Sequence, residues 1–147
     1  MKSNYLIFSL FLSSLLYSQT IISTKYFEFK CNCKEVENEY NPKNKSYNYT
    51  YEENDGNSIF MISVKTNSGS NPDGFLSSIK NSGTFDYQYT SFKENKAISA
   101  DMIMGGEYGK HIGFFRNGIG YSVIIASTTK KMTNTLFSNF EKSFKFK

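Results

Sequence analysis

Tryptophan is absent from this 147-residue chain, and cysteine, proline and histidine number only two, two and one. A single histidine leaves little from which to build an acid–base site. Beyond the first eighteen residues no apolar run approaches the roughly 20 residues that a helix needs to cross a bilayer. The net charge is a mild +4, and the basic residues are scattered rather than run together. That distribution gives no footprint for nucleic acid or for an anionic membrane. There is no internal repeat, no low-complexity tract and no interdomain linker. No serine sits in a Gly-x-Ser-x-Gly elbow. The glycine-rich stretch Gly105-Gly106-Glu107-Tyr108-Gly109 is not followed by Lys-Ser/Thr, so it is not a phosphate loop.

What is present begins with a leader. Lys2 supplies a positive start, and Tyr5 to Leu16 is an uncharged stretch of apolar and small hydroxyl residues. Ser18 places a small residue before the expected cut. About 7–15 apolar residues with these flanks make a secretory signal peptide. The first thiol, Cys31, is too distant for lipid attachment. Residues 1–18 are therefore expected to be a cleaved signal peptide and 19–147 a single α+β domain, secreted or periplasmic, with no membrane contact after cleavage.

The mature region is rich in Phe and Tyr, 14 and 11 in the whole chain, and many alternate with polar residues. Period-2 alternation marks half-buried strands. Tyr26 to Cys33 puts Phe27, Phe29, Cys31 and Cys33 on one side. Lys34 to Lys45 is polar, contains Pro42, and reads as a loop or irregular connection. Ser46 to Glu52 alternates again. Asn54-Asp55-Gly56-Asn57 is a turn, and the more uniformly apolar Ser58 to Lys65 returns from it as a central strand. Pro72 suits the first turn of a short helix over about 72–82, with Phe75, Leu76 and Ile79 at helical spacing. Strands follow at Thr84–Phe92, Ala97–Met104, Tyr108–Phe115 and Ile119–Ser127, the last two joined by Asn117-Gly118. Met132, Leu136, Phe140 and Phe144 recur every four residues, the stripe of a C-terminal helix over about 129–143. The expected fold is thus α+β: an antiparallel sheet of six or seven strands with two helices packed on it.

In this layout the chain resembles the PsbP-like family, whose fold is shared with a Ran-binding nuclear transport factor. The likeness lies in the strands before a short helix carrying Phe75 to Ile79, the four-strand meander after it, and a terminal helix ending Phe140-Glu141-Lys142-Ser143-Phe144. The resemblance implies an α/β/α sandwich. It also implies a non-catalytic accessory or assembly factor, since some members bind metal ions or protein partners. No functional residue transfers, because no functional motif matches.

The candidate chemistry is sparse. Cys31 and Cys33 form a C-x-C, open to three readings: two free buried thiols, a disulfide, or a soft-metal or redox pair. On a continuous strand the two Cα atoms would lie about 6.5–7 Å apart, at the edge of disulfide geometry. Thiolate, thioether and imidazole together select Cu(I), so Cys31, Cys33, Met102, Met104 and His111 compose a possible copper set. Against it, both pairs lie on apolar strand faces, where Met ordinarily fills core. His111 with Glu107 could act as an acid–base pair, and Asp86 with Asp101 as paired carboxylates, but a surface or structural role explains each of them without chemistry. Tyr47, Tyr49 and Tyr51 line one strand face. Exposed, they would be an interaction platform; inward, they would be core.

The leading expectation is an exported, non-catalytic accessory or protein-binding domain, such as an immunity or assembly factor, that uses no cofactor and has a partner the residues do not name. A periplasmic small-molecule or copper carrier is the alternative. A hydrolase-like enzyme without a recognisable motif comes third.

Overall fold

The computed structural model describes residues 19–69, 71–83 and 85–147. The expected signal peptide lies outside the described residues. Ten strands and two helices follow in the order β1 (Thr20–Ser23), β2 (Phe27–Cys31), β3 (Cys33–Asn41), β4 (Ser46–Glu53), β5 (Ser58–Lys65), α1 (Pro72–Ser82), β6 (Gln88–Phe92), β7 (Asn95–Met104), β8 (Glu107–Arg116), β9 (Ile119–Ser127), α2 (Lys130–Ser143) and β10 (Lys145–Phe146). A seven-stranded antiparallel sheet runs β3-β4-β5-β9-β8-β7-β6, and a three-stranded sheet runs β1-β2-β10. The fold is α+β, as the alternation of side chains requires.

Local chemistry sets the boundaries. Asn71 caps α1, its Oδ1 accepting from Asp73 N at 3.0 Å, and Pro72 occupies the first turn. Thr129 caps α2 through Met132 N. Asn117 and Gly118 both take positive φ, 51° and 79°, as the tight turn joining β8 to β9 demands.

The helices lie on opposite faces of the large sheet. On one face, Phe140 of α2 packs with Phe29, Phe60 and Phe92, and Phe27 of the small sheet stacks on Phe144 at the C-cap of α2. On the other, Leu76 of α1 packs with Ile98 and Ala100 over β7, while Phe75 and Ile79 border it. Gly120 gives Phe75 room, since a Cβ there would overlap the ring.

Three expectations are corrected, and one set of pairings was not foreseen. Lys34 to Asn41 forms the outer strand β3, paired along β4, although its exposed residues show no apolar alternation. The strand expected across Tyr26–Cys33 breaks at Asn32, where the chain leaves the small sheet for the large one. The strand expected from Thr84 begins at Gln88, and Tyr89 points outward while Tyr87 is buried. The brief pairings of β1 and β10 on β2 had no sequence signature.

Candidate functional site

The copper set is not assembled. Cys31 and Cys33 are joined as a disulfide with Cα atoms 5.3 Å apart, inside the usual range of about 4.4–6.8 Å. The bend at Asn32 shortens the separation below that of an extended strand. Cys33 opens β3, whereas Met102 and Met104 stand on β7, five strands away, or about 24 Å at the spacing of neighbouring strands. Met102 is buried beside Gly109, and Met104 is exposed at the hairpin end. Among the described residues no group of three or more His, Cys, Asp or Glu could hold a metal.

The tyrosine stripe is core rather than platform. Tyr49 and Tyr51 are buried and Tyr47 half-buried, with edge-on contacts from Phe27 to Tyr49 and from Phe29 to Tyr51. The small sheet and its aromatics cover them. Serving that core removes them from any surface role.

His111 is buried in the middle of β8 between two hydroxyls. Tyr87 Oη lies 2.6 Å from Nδ1 and Ser122 Oγ lies 2.7 Å from Nε2. The order hydroxyl–imidazole–serine has the outline of a nucleophilic relay. Its proton inventory argues otherwise. Burial pushes Tyr87 above its ordinary value, so the phenol stays protonated and can either donate to Nδ1 or accept from it. Either ring nitrogen can carry the single proton, so Ser122 accepts or donates accordingly; the low basicity of the ring, not its tautomer, keeps it from drawing a proton from that serine. Burial also lowers His111 to about 4, keeping it neutral. Glu107 is four residues along the same strand, about 13 Å away, too far to pair with it. Asp86 accepts from Gln88, and Asp101 meets lysines, so the two carboxylates do not pair with each other.

An apolar surface feature lies where the β7–β8 hairpin meets the start of α2. A cleft of about 390 Å³ is lined by Phe85, Met102, Ile103, Tyr108, Lys130 and Thr133, among others. Its rim stands proud of the surface: Ile103 is 66% exposed and Tyr108 38%. The pairing of Ile103 with Tyr108 sets these two side chains next to each other on one face of the hairpin. Thr133 fixes the hairpin to the helix; its buried hydroxyl lies 2.8 Å from Tyr108 O. Asp101 on the rim meets Lys110 at 3.7 Å and Lys130 at 3.6 Å, so one carboxylate faces two ammonium groups on the polar margin. Such exposed pairs contribute little to stability. Their effect here is to hold the margin in place.

Sequence reasoning singled out Met102 and Met104 for another chemistry and missed Phe85, Ile103, Tyr108, Lys130 and Thr133. One signal was available. Ser99 and Asp101 make the outer part of their strand face polar, and Ile103 interrupts it with an apolar side chain that nothing covers.

No described helix is long and apolar enough to cross a membrane. No family model and no curated protein matches the chain. Two solved structures share its fold. The solution structure of cyanobacterial PsbP (CyanoP) from Synechocystis sp. PCC 6803 is 10% identical, with a TM-score of 0.59, over 92% of this chain and 96% of that one. A crystal structure from Bacteroides thetaiotaomicron VPI-5482 is also 10% identical, with a TM-score of 0.54, over 82% of this chain; the match spans 45% of that protein. At this identity the likeness is one of fold alone, and it bears out the resemblance in layout to PsbP.

Proposed function

We propose that the protein is an exported, non-catalytic binding protein, released as residues 19–147, whose partner is another protein docking on the β7–β8 hairpin. The observation that carries this reading is the uncovered apolar rim of Ile103 and Tyr108 around the cleft at the start of α2. Large apolar side chains grouped on a surface mark contact sites. A convex apolar rim around a hollow suits a protein surface that inserts a side chain and covers the margin.

The test is site-directed photo-crosslinking in the producing organism. A photoreactive residue at position 103 should give a discrete protein adduct that a reactive residue at Lys142, remote from the hairpin, does not. Absence of an adduct at 103, or the same adduct at both positions, would overturn the reading. The cleft's volume also falls within the range of about 300–1,000 Å³ typical of ligand pockets. Small-molecule carriage is therefore the second reading, and native mass spectrometry showing a bound apolar compound, with no protein adduct, would establish it instead.

A further inference from the structure

We propose that Cys31 and Cys33 form a reversible dithiol–disulfide couple that exchanges with a partner dithiol while the protein stays folded. The two residues flank Asn32, where the chain passes from the small sheet to the large one. A cross-link stabilises chiefly by closing a long loop in the unfolded chain. Here the ring spans one intervening residue, so that contribution is small. The bend has its own support as well. Asn54 N donates to Asn32 O at 3.0 Å, and Asn54 Nδ2 donates to Asn32 Oδ1 at 2.7 Å.

The flanking strands keep their partners without the bond. β2 is held by β1 and β10, and β3 by β4. Both cysteines belong to the cluster that contains Phe29 and Tyr51. A reduced cysteine packs there as a small apolar residue. Both oxidation states therefore fit one backbone.

The exchange balances as follows. Both cysteines are buried, Cys33 at 8% exposure and Cys31 at 4%, so a local opening at the Asn32 bend admits the partner thiolate, which attacks Cys33 Sγ at the start of the edge strand. The S–S bond breaks, and Cys31 leaves as a thiolate that takes a proton from water. The partner's second thiol, deprotonated, attacks the partner sulfur of the mixed disulfide and releases Cys33, which is protonated in turn. Two electrons pass to the Cys31–Cys33 pair, and the partner ends as a disulfide; the reverse sequence reoxidises this protein. Glu53 lies opposite Cys33 and, with Asp55 and Asn32, lines one surface hollow. Negative charge there disfavours a thiolate on this chain and an anionic thiol approaching it. The fitting reagent is a dithiol without net negative charge.

The processed chain, kept native, is treated with millimolar dithiothreitol or with glutathione of equal reducing capacity. Free thiols are counted by maleimide mass shift while circular dichroism follows the fold. Dithiothreitol should expose two thiols per chain with an unchanged spectrum, and oxidised dithiothreitol should restore the bond. Glutathione should act about tenfold more slowly. Asn54→Ala should lower the melting temperature more in the reduced protein than in the oxidised one, because clamp and bond hold the same bend. Thiols that appear only with denaturant, or reduction that erases the native spectrum, would overturn the proposal. So would an Asn54→Ala loss equal in the two states.

Discussion

His111 shows how much one buried side chain can decide. An imidazole that titrates near 6.5 in the unfolded chain is held down to about 4 in the fold, because charging it would strand a cation between Tyr87 and Ser122. Between these values the unfolded chain binds the extra proton and the folded chain does not. Stability is therefore complete above about pH 6.5 and falls as the pH drops toward 4. The difference amounts to roughly 3 kcal/mol for this group. His111→Gln keeps polar atoms between the hydroxyls but does not titrate. Urea unfolding at pH 7 and at pH 4 should show the parent losing about 3 kcal/mol more than the variant. Equal losses would mean that His111 is charged in the fold and that the proton assignment is wrong. The sequence placed His111 on a strand and offered a structural role for it. It could not name Tyr87 and Ser122 as partners, since they come from a connecting segment and a neighbouring strand.

At the scale of elements, α1 depends on how closely it can approach the sheet. Phe75 lies over Gly120, where a Cβ would overlap the ring. Gly120→Ala should displace Phe75 and cost about 1–3 kcal/mol by overpacking, seen as a melting temperature lower by about 4–10 °C. A pairwise control, Phe75→Leu with Gly120→Ala, should recover part of the loss; no recovery would place the strain elsewhere. Elements with an apolar stripe or alternation, such as β5, β9 and α2, were legible, because burial on one face writes the period into the residues. β3 was not, since an edge strand carrying Lys34, Glu35, Glu37 and Glu39 has no buried face to write. The break at Asn32 was equally hidden: the residues on both sides continue to alternate although they belong to different sheets. The cleft was illegible for a third reason. Its walls come from β7, β8, α2 and the segment before β6, which only the tertiary fold brings together.

Across the whole molecule the two faces of the large sheet are unequally covered. The side bearing α2 and the small sheet holds a cluster of nineteen described buried residues, with stacked and edge-on contacts among Phe92, Phe114, Tyr121, Phe140 and Phe144. The side bearing α1 holds a cluster of four, Leu76, Tyr87, Ile98 and Ala100. Burial of apolar area is the main favourable term in folding, so the free energy of opening should differ between the sides. α1 can lift away by exposing Leu76 and its neighbours while the aromatic cluster stays shut. Opening α2 uncovers Phe140 and loosens the contacts that seat the small sheet. Native-state hydrogen exchange should therefore show α1 amides exchanging through a local opening well below the global unfolding energy, while amides of β5, β9 and the Phe140 turn of α2 exchange only with global unfolding. Leu76→Ala should speed exchange in α1 and leave the β5 and β9 amides governed by overall stability. If α1 and the central strands were protected to the same degree, the two clusters would be one cooperative unit. The β7–β8 hairpin would then be coupled to α1 through Ile98 and Ala100 on β7, rather than standing apart from its motion.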